Sequence, residues 1–236
     1  MKKIDVCLSP ELIHLYDLKN TIVVVVDIFR ATSCMVTAFA HGVEKIYPVA
    51  TVEECSKLQA KGYLAAAERD AQKVEGFELD NSPFSYMAEN IKGATIAVTT
   101  TNGTLAISKS KSAEKVIIGA FLNIETVANF VQNQAYDVLI HCAGWKGKPN
   151  LEDTLFAGAL IDLLQNDFEI AEDSALMALK LYFLKKDRME AAVANSSHVK
   201  RLQKLGIQKD INFCLQRNLY HVLPVLEVEK LVNLAL

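Results

Sequence analysis

Apolar and polar positions change period repeatedly along the chain. Short runs that are apolar throughout, or that alternate every second residue, give way to stretches with an apolar residue every three or four. Lys3–Leu8 reads as a first strand. Thr21–Ile28, with four consecutive valines, reads as a strand buried on both faces. Ala31–Ala40 follows as helix, Glu44–Val49 as strand, and a helix opens at Thr51 with the capping-box spacing to Glu54. Tyr63–Ala67 is a short strand, and Ser82-Pro83 has the N-cap and N1 pattern for a helix over Phe84–Asn90. Strands are then expected over Ala94–Thr100, Lys115–Gly119 and Asp137–Cys142, separated by helices over Asn102–Ser108 and Ile124–Gln134. Beyond them the pattern turns helical, over Glu152–Gln165, Ser174–Lys185, Met189–Ala194 and Ser197–Leu205. A strand over Val222–Leu226 and a short helix complete the pattern. Alternation of strands and helices predicts one α/β domain over residues 1–236. The expected architecture is a three-layer α/β/α fold, with a mainly parallel or mixed sheet and a helical C-terminal portion.

Composition narrows the class without changing that picture. Apolar residues make up 51% and charged residues 22%, the balance of a folded soluble protein. A net charge of −3, with no basic stripe carrying interleaved aromatics, speaks against nucleic acid as a partner. The most apolar run, Ile22–Val26, is far too short to span a membrane, and Met1-Lys2-Lys3 is not followed by a signal-peptide core. Five cysteines, an odd number with no C-x-x-C pair, point to reduced thiols and a cytoplasmic location rather than a zinc site. The apolar run Leu226–Leu236 fits a packed or interfacial tail, and with it a homo-oligomer.

Ligands of parallel sheets sit beyond the carboxyl ends of the strands, so those ends carry the chemical interest. The valine strand runs into Asp27-Ile28-Phe29-Arg30, the next into Glu68-Arg69, and a third into Thr99–Thr104. A fourth leads through Cys142 into Gly144-Trp145-Lys146, and Glu152-Asp153 follow soon after. Asp27 is either a helix N-cap or a buried acid that needs a cation or strong donors. The Thr101-Asn102-Gly103-Thr104 turn either cradles an oxyanion or is an ordinary Asn-Gly turn. Glu152 and Asp153 either ligate or simply meet a helix dipole. Arg30 and Arg69 have the planar fork that suits phosphate, sulfonate or carboxylate. Ser196, Ser197, His198 and Arg201 mark a further helix start and a second candidate anion site.

Several chemistries are excluded by motif. No Walker loop, dinucleotide fingerprint or nucleophile elbow is present. Six positions after Cys142 and Cys34 stand Lys148 and Ala40, so the cysteine-phosphatase loop is missing. Phe29 occupies the second acidic position of the D-x-D aspartyl phosphatases.

The segments VVVVDIFRATS, AAER, GFELDNSP, TTTNGT, GAFLN, LEDTLFAGAL and SSHVKRLQKLG, in this order, resemble the 2-phosphosulfolactate phosphatase family of coenzyme M biosynthesis. D-x-F-R-A-T-S together with T-T-x-N-G-T is the specific part of the likeness, which spans about Val23 to Cys214. The resemblance implies an α/β fold, Mg2+, and hydrolysis of the phosphate ester of a small anionic 2-hydroxy acid. It implies catalytic roles for Asp27, Arg30, Glu68 and Glu152, and metal ligation by Asp27, Asp80 and Asp153. Substrate contacts are then expected from Arg69, Thr101, Asn102, Gly103, Thr104, Gly144, Ser197 and His198.

Overall fold

The computed structural model describes residues 1–69 and 72–235, with the Arg69 side chain outside that description. Its strands are β1 (Lys2–Cys7), β2 (Thr21–Val26), β3 (Lys45–Pro48), β4 (Leu64–Arg69), β5 (Gln72–Lys73) and β6 (Thr95–Thr99). They continue with β7 (Lys115–Gly119), β8 (Asp137–Cys142), β9 (Phe168–Ile170), β10 (Pro224–Glu227) and β11 (Lys230–Asn233). The helices are α1 (Ala31–Ala40), α2 (Val52–Gln59), α3 (Gly103–Lys109), α4 (Ile124–Gln132) and α5 (Leu151–Leu164). Four more follow: α6 (Asp173–Lys185), α7 (Met189–Val193), α8 (Ser197–Lys204) and α9 (Gln208–Cys214).

All eleven strands belong to one mixed sheet, in the order β5-β4-β6-β3-β11-β10-β7-β2-β8-β1-β9. The α/β expectation holds, with helices on both faces. Every residue of β2 is buried, as its unbroken apolar run requires. Val24 and Val26 pack with α4, α5 and α6, whereas Val23 and Val25 pack with α1 and α3. Thr51 and Glu54 form the expected capping box, the Thr51 hydroxyl accepting from the Glu54 amide at 3.1 Å. Gly158 lets α5 and α6 nearly touch, since a Cβ there would stand 2.1 Å from the Ala178 carbonyl oxygen.

Three expectations need correction. The segment Phe84–Asn90 is not an α-helix but two 3-10 turns, Pro83–Met87 and Glu89–Ile91. Oδ1 of Asp80 takes the Ser82 amide and the Ser85 hydroxyl, so the cap comes from Asp80 instead of Ser82. The C-terminal strand is Pro224–Glu227 and is followed by β11 rather than a helix. Alternation of buried Val225 and Leu231 with exposed Glu227, Val228 and Glu229 suits a hairpin, and the pair inserts between β7 and β3. The C-terminal portion is therefore helical only up to Cys214. The pattern also hides β9, α9 and a 3-10 helix at Pro10–Leu15, all short.

Four strands separate β2 from β6 in the sheet, yet the ends of the two strands meet. A Cβ on Gly103, just past β6, would stand 2.9 Å from Oδ2 of Asp27 and 2.7 Å from the Ala31 Cβ. The sheet therefore curls around α1, nine residues of which are buried, and brings both halves to one site.

Candidate active site

The turn after β2 is fixed by Thr32. Its amide and hydroxyl both donate to the Asp27 carbonyl at 3.0 Å, and its hydroxyl oxygen accepts from the Asp27 amide at 3.0 Å. This leaves the Asp27 side chain buried at the strand end, 6% exposed. Burial pushes its carboxyl up to about 6. The His198 ring and the Ala31 amide pull it down, while Glu152 and Glu68 add to the rise.

A cavity of about 200 Å3 opens beside Asp27. Its lining brings together the carboxylates Asp27 and Glu68 with the cations Arg30, Lys146 and Arg201. Asn81, Thr100, Thr101 and Asn102 add neutral donors, and Phe29, Trp145 and His198 add rings. A larger cavity of about 610 Å3 adjoins it, sharing Thr100 and Thr101 and lined by Lys57, Lys61 and Lys111 of the surface. No buried charged residue lines that second space, so the smaller cavity holds the chemistry.

Behind the cavity stand two more acids on the first turn of α5. Asp153 is wholly buried and spends both oxygens on backbone amides, Oδ1 on Ile28 at 2.9 Å and Oδ2 on Gly144 at 3.1 Å. It thereby ties the β2 turn to the β8 turn. Burial raises its carboxyl well above the usual range, Asp27 and Glu152 add to that, and the two amides oppose it. Glu152, also wholly buried, places Oε1 2.6 Å from Nδ1 of His198, while its Oε2 is buried without a partner among the described residues. Arg30 is ion-paired with Asp210 of α9, both side chains being nearly enclosed.

The structure thus gathers Asp27, Arg30, Glu68, Thr101, Asn102 and His198 around one cavity. Gly103 lies against Asp27, where only a residue without a Cβ fits. Gly144 has φ +58 and acts through its amide on Asp153. Thr104 closes the turn, its hydroxyl donating to the Thr100 carbonyl at 2.8 Å. Ser197 begins α8 without lining the cavity, and Ser196 is the N-cap that accepts from the Val199 amide. Asp80 is engaged in capping the 3-10 turn, and its neighbour Asn81 lines the cavity instead. Arg69 is named by the sequence, but its side chain lies outside the described residues.

The sequence assigns no role to Asn81, Thr100, Trp145, Lys146 or Asp210, although Thr100, Trp145 and Lys146 stand in the strand-end segments it points to. Trp145 and Lys146 had a usable signal, since they directly follow a strand-end glycine. In the structure Trp145 stacks on His198, ring centroids 5.9 Å apart and planes at 10°. The Lys146 ammonium and the Arg201 guanidinium lie over the Trp145 ring, 5.1 and 5.6 Å from its centroid. Neither cation has a carboxylate partner among the described residues.

Among the described residues no group of three or more His, Cys, Asp or Glu side chains is spaced to hold a metal unaided. Magnesium asks for less, because one or two carboxylates suffice when phosphate oxygens and water complete its shell. Asp27 and Glu68 are the two carboxylates of the cavity lining, and a cation would relieve the buried charge of Asp27. The donor set therefore fits Mg2+.

Comparison with known proteins agrees with the motif order. Residues 7–229 match the family described as 2-phosphosulpholactate phosphatase. A probable 2-phosphosulfolactate phosphatase of Caldanaerobacter subterraneus subsp. tengcongensis is 41% identical over 217 residues, covering 89% of this chain and 90% of that protein. One from Thermotoga petrophila is 42% identical over 86% of this chain and 88% of its own. One from Clostridium novyi is 36% identical over 98% and 100%. The chain belongs to the 2-phosphosulfolactate phosphatase family, and so to the hydrolases of phosphoric monoesters.

Proposed function

We propose that the chain is a Mg2+-dependent phosphatase that converts 2-phospho-3-sulfolactate to 3-sulfolactate and phosphate. The observation that carries this reading is the meeting of a buried carboxylate, Asp27, with three cations in one small cavity. A substrate with phosphate, carboxylate and sulfonate groups needs several separate cradles. Lys146 and Arg201, without carboxylate partners among the described residues, would take the groups that are not transferred. The hydroxyls of Thr100 and Thr101 and the amides of Thr101 and Asn102 would hold phosphate oxygens. Arg30, kept in place by Asp210, would present a fixed guanidinium to the same group.

Asp27 and Glu68 would hold Mg2+. The ion would neutralise phosphate and acidify a bound water. Asp153 orients the two turns on either side of the cavity, and Gly103 keeps the space against Asp27 free. Five buried free thiols accord with a reducing compartment, and we place the protein in the cytoplasm. No helix among the described residues is long and apolar enough to cross a membrane.

The test is phosphate release from a panel of phosphorylated 2-hydroxy acids, with Mg2+ and with chelator. The sulfonated ester should turn over fastest, and only with the metal. Equal release in chelator would overturn the Mg2+ assignment, and faster turnover of an ester without sulfonate would overturn the substrate.

A further inference from the structure

The pair Glu152–His198 is more elaborate than anion binding requires. A fully buried carboxylate is costly, and this one is given a single side-chain partner. That partner is held from other directions as well. Trp145 stacks on the His198 ring, and Phe29 meets it edge-on with centroids 6.3 Å apart. The Glu152 carboxylate takes Nδ1–H of the ring and keeps its plane constant, so that in the imidazolium form the second proton sits on Nε2. Nε2 is then the atom free to exchange a proton. The ring lines the cavity, and Nε2 has no hydrogen-bond partner among the described residues.

We infer that His198 is the general acid of the reaction, with Glu152 as its positioning residue; this rests on the phosphatase reading above. The ester P–O bond breaks, its electron pair goes to the departing oxygen, and the Nε2 proton joins that oxygen to give the free hydroxyl. The phosphoryl group passes to the oxygen of water, and the proton that this water sheds returns the imidazole to its starting form. The chemistry explains why such a group is needed. The alkoxide of a 2-hydroxy acid is strongly basic, and it would form next to a carboxylate and a sulfonate. Protonation in the transition state avoids that extra charge and contributes about 10²–10⁴ in rate.

A general acid discriminates between leaving groups, and a purely structural pair does not. An aryl ester such as para-nitrophenyl phosphate leaves as a weakly basic phenolate and has little use for an acid. Wild type, His198→Gln and Glu152→Gln are therefore compared with Mg2+ on 2-phospho-3-sulfolactate and on para-nitrophenyl phosphate. His198→Gln should lower kcat about 100-fold on the alkyl ester, and about tenfold less than that on the aryl ester. Glu152→Gln should show the same selectivity with a smaller loss, so a folding defect in one variant leaves the other to decide. Equal losses on both esters assign the pair to structure and overturn the inference while sparing the phosphatase reading. A wild-type protein that hydrolyses neither ester overturns that reading, and the general acid with it.

Discussion

In the half of the sheet built from β7, β2, β8, β1 and β9, pairing runs over three to six residues, six between β2 and β8, and β2 ends in buried Asp27. In the half built from β3, β6, β4 and β5, pairing runs over two to four residues, alanine-rich β4 runs into half-buried Glu68, and β6 ends in hydroxyls and an amide. The first half spends burial energy on carboxylates that burial itself disfavours, with Asp27 and Asp153 both raised. In the second, Thr100 and Thr104 bond each other's backbones. The difference teaches where ligand binding is prepared. A buried charge at the end of β2, unfavourable without a cation, faces a wall of hydroxyls, an amide and the half-buried Glu68.

The sharpest way to break this contrast is to neutralise that buried charge. Asp27→Asn should lower phosphate release by about 10³-fold or more. It should also raise the Tm of the metal-free protein at pH 8, because the desolvated charge is gone. Full activity in this variant would remove Asp27 from the mechanism.

Gly103, at the line where the halves meet, is next. Gly103→Ala must move either the Ala31 methyl or the Asp27 carboxylate, both under 3.0 Å from the new atom. A loss of about 1–3 kcal/mol in denaturant unfolding is expected, with lowered kcat. Leu105→Ala, on the same helix but 40% exposed, should change stability by about 0.5 kcal/mol or less.

Arg201→Gln tests recognition by the charged half. It should raise KM about tenfold for the sulfonated ester and leave KM for para-nitrophenyl phosphate nearly constant, the loss of one charge-assisted contact.

The smallest effect is a pH dependence of stability. Asp27, moved from 3.8 to about 6, holds its proton in the folded state where the unfolded chain has lost it. Its contribution therefore falls as pH rises from about 4 to 6. Buried His141 is depressed from 6.5 to about 4, so the unfolded chain takes up a proton first on acidification. Its contribution falls as pH drops through the same window. The two slopes oppose each other in the wild type, and Asp27→Asn removes only the first. In chelator, the Tm of that variant should drop more steeply than the wild-type Tm between pH 6.5 and 4.

Asp27 was legible in the sequence because an acid ending an all-apolar strand is costly to bury unless a cation or strong donors meet it there. Thr101, Asn102 and His198 were legible as strand-end and helix-start groups. Asp210 was not, since Arg30 finds it 180 positions away on a seven-residue helix too short to show a period. Asn81 escaped because its segment reads as the approach to a helix, whereas Asp80 caps a 3-10 turn. Hydrophobic periodicity tells which face of a strand is buried but not how far a sheet bends. The meeting of β2 and β6 across four intervening strands was thus beyond its reach.

The hairpin of β10 and β11 has a consequence for synthesis of the protein. It touches each half in a short register, Val225 beside Ile117 and Leu231 beside Ile46. A ribosome makes both halves before it makes the piece that joins them. Until residues 224–233 emerge, β7 and β3 are open edges on a nascent chain, able to pair with any other strand nearby. Slow translation just before the hairpin would lengthen that interval, and chaperones that shield bare strand edges would matter most there.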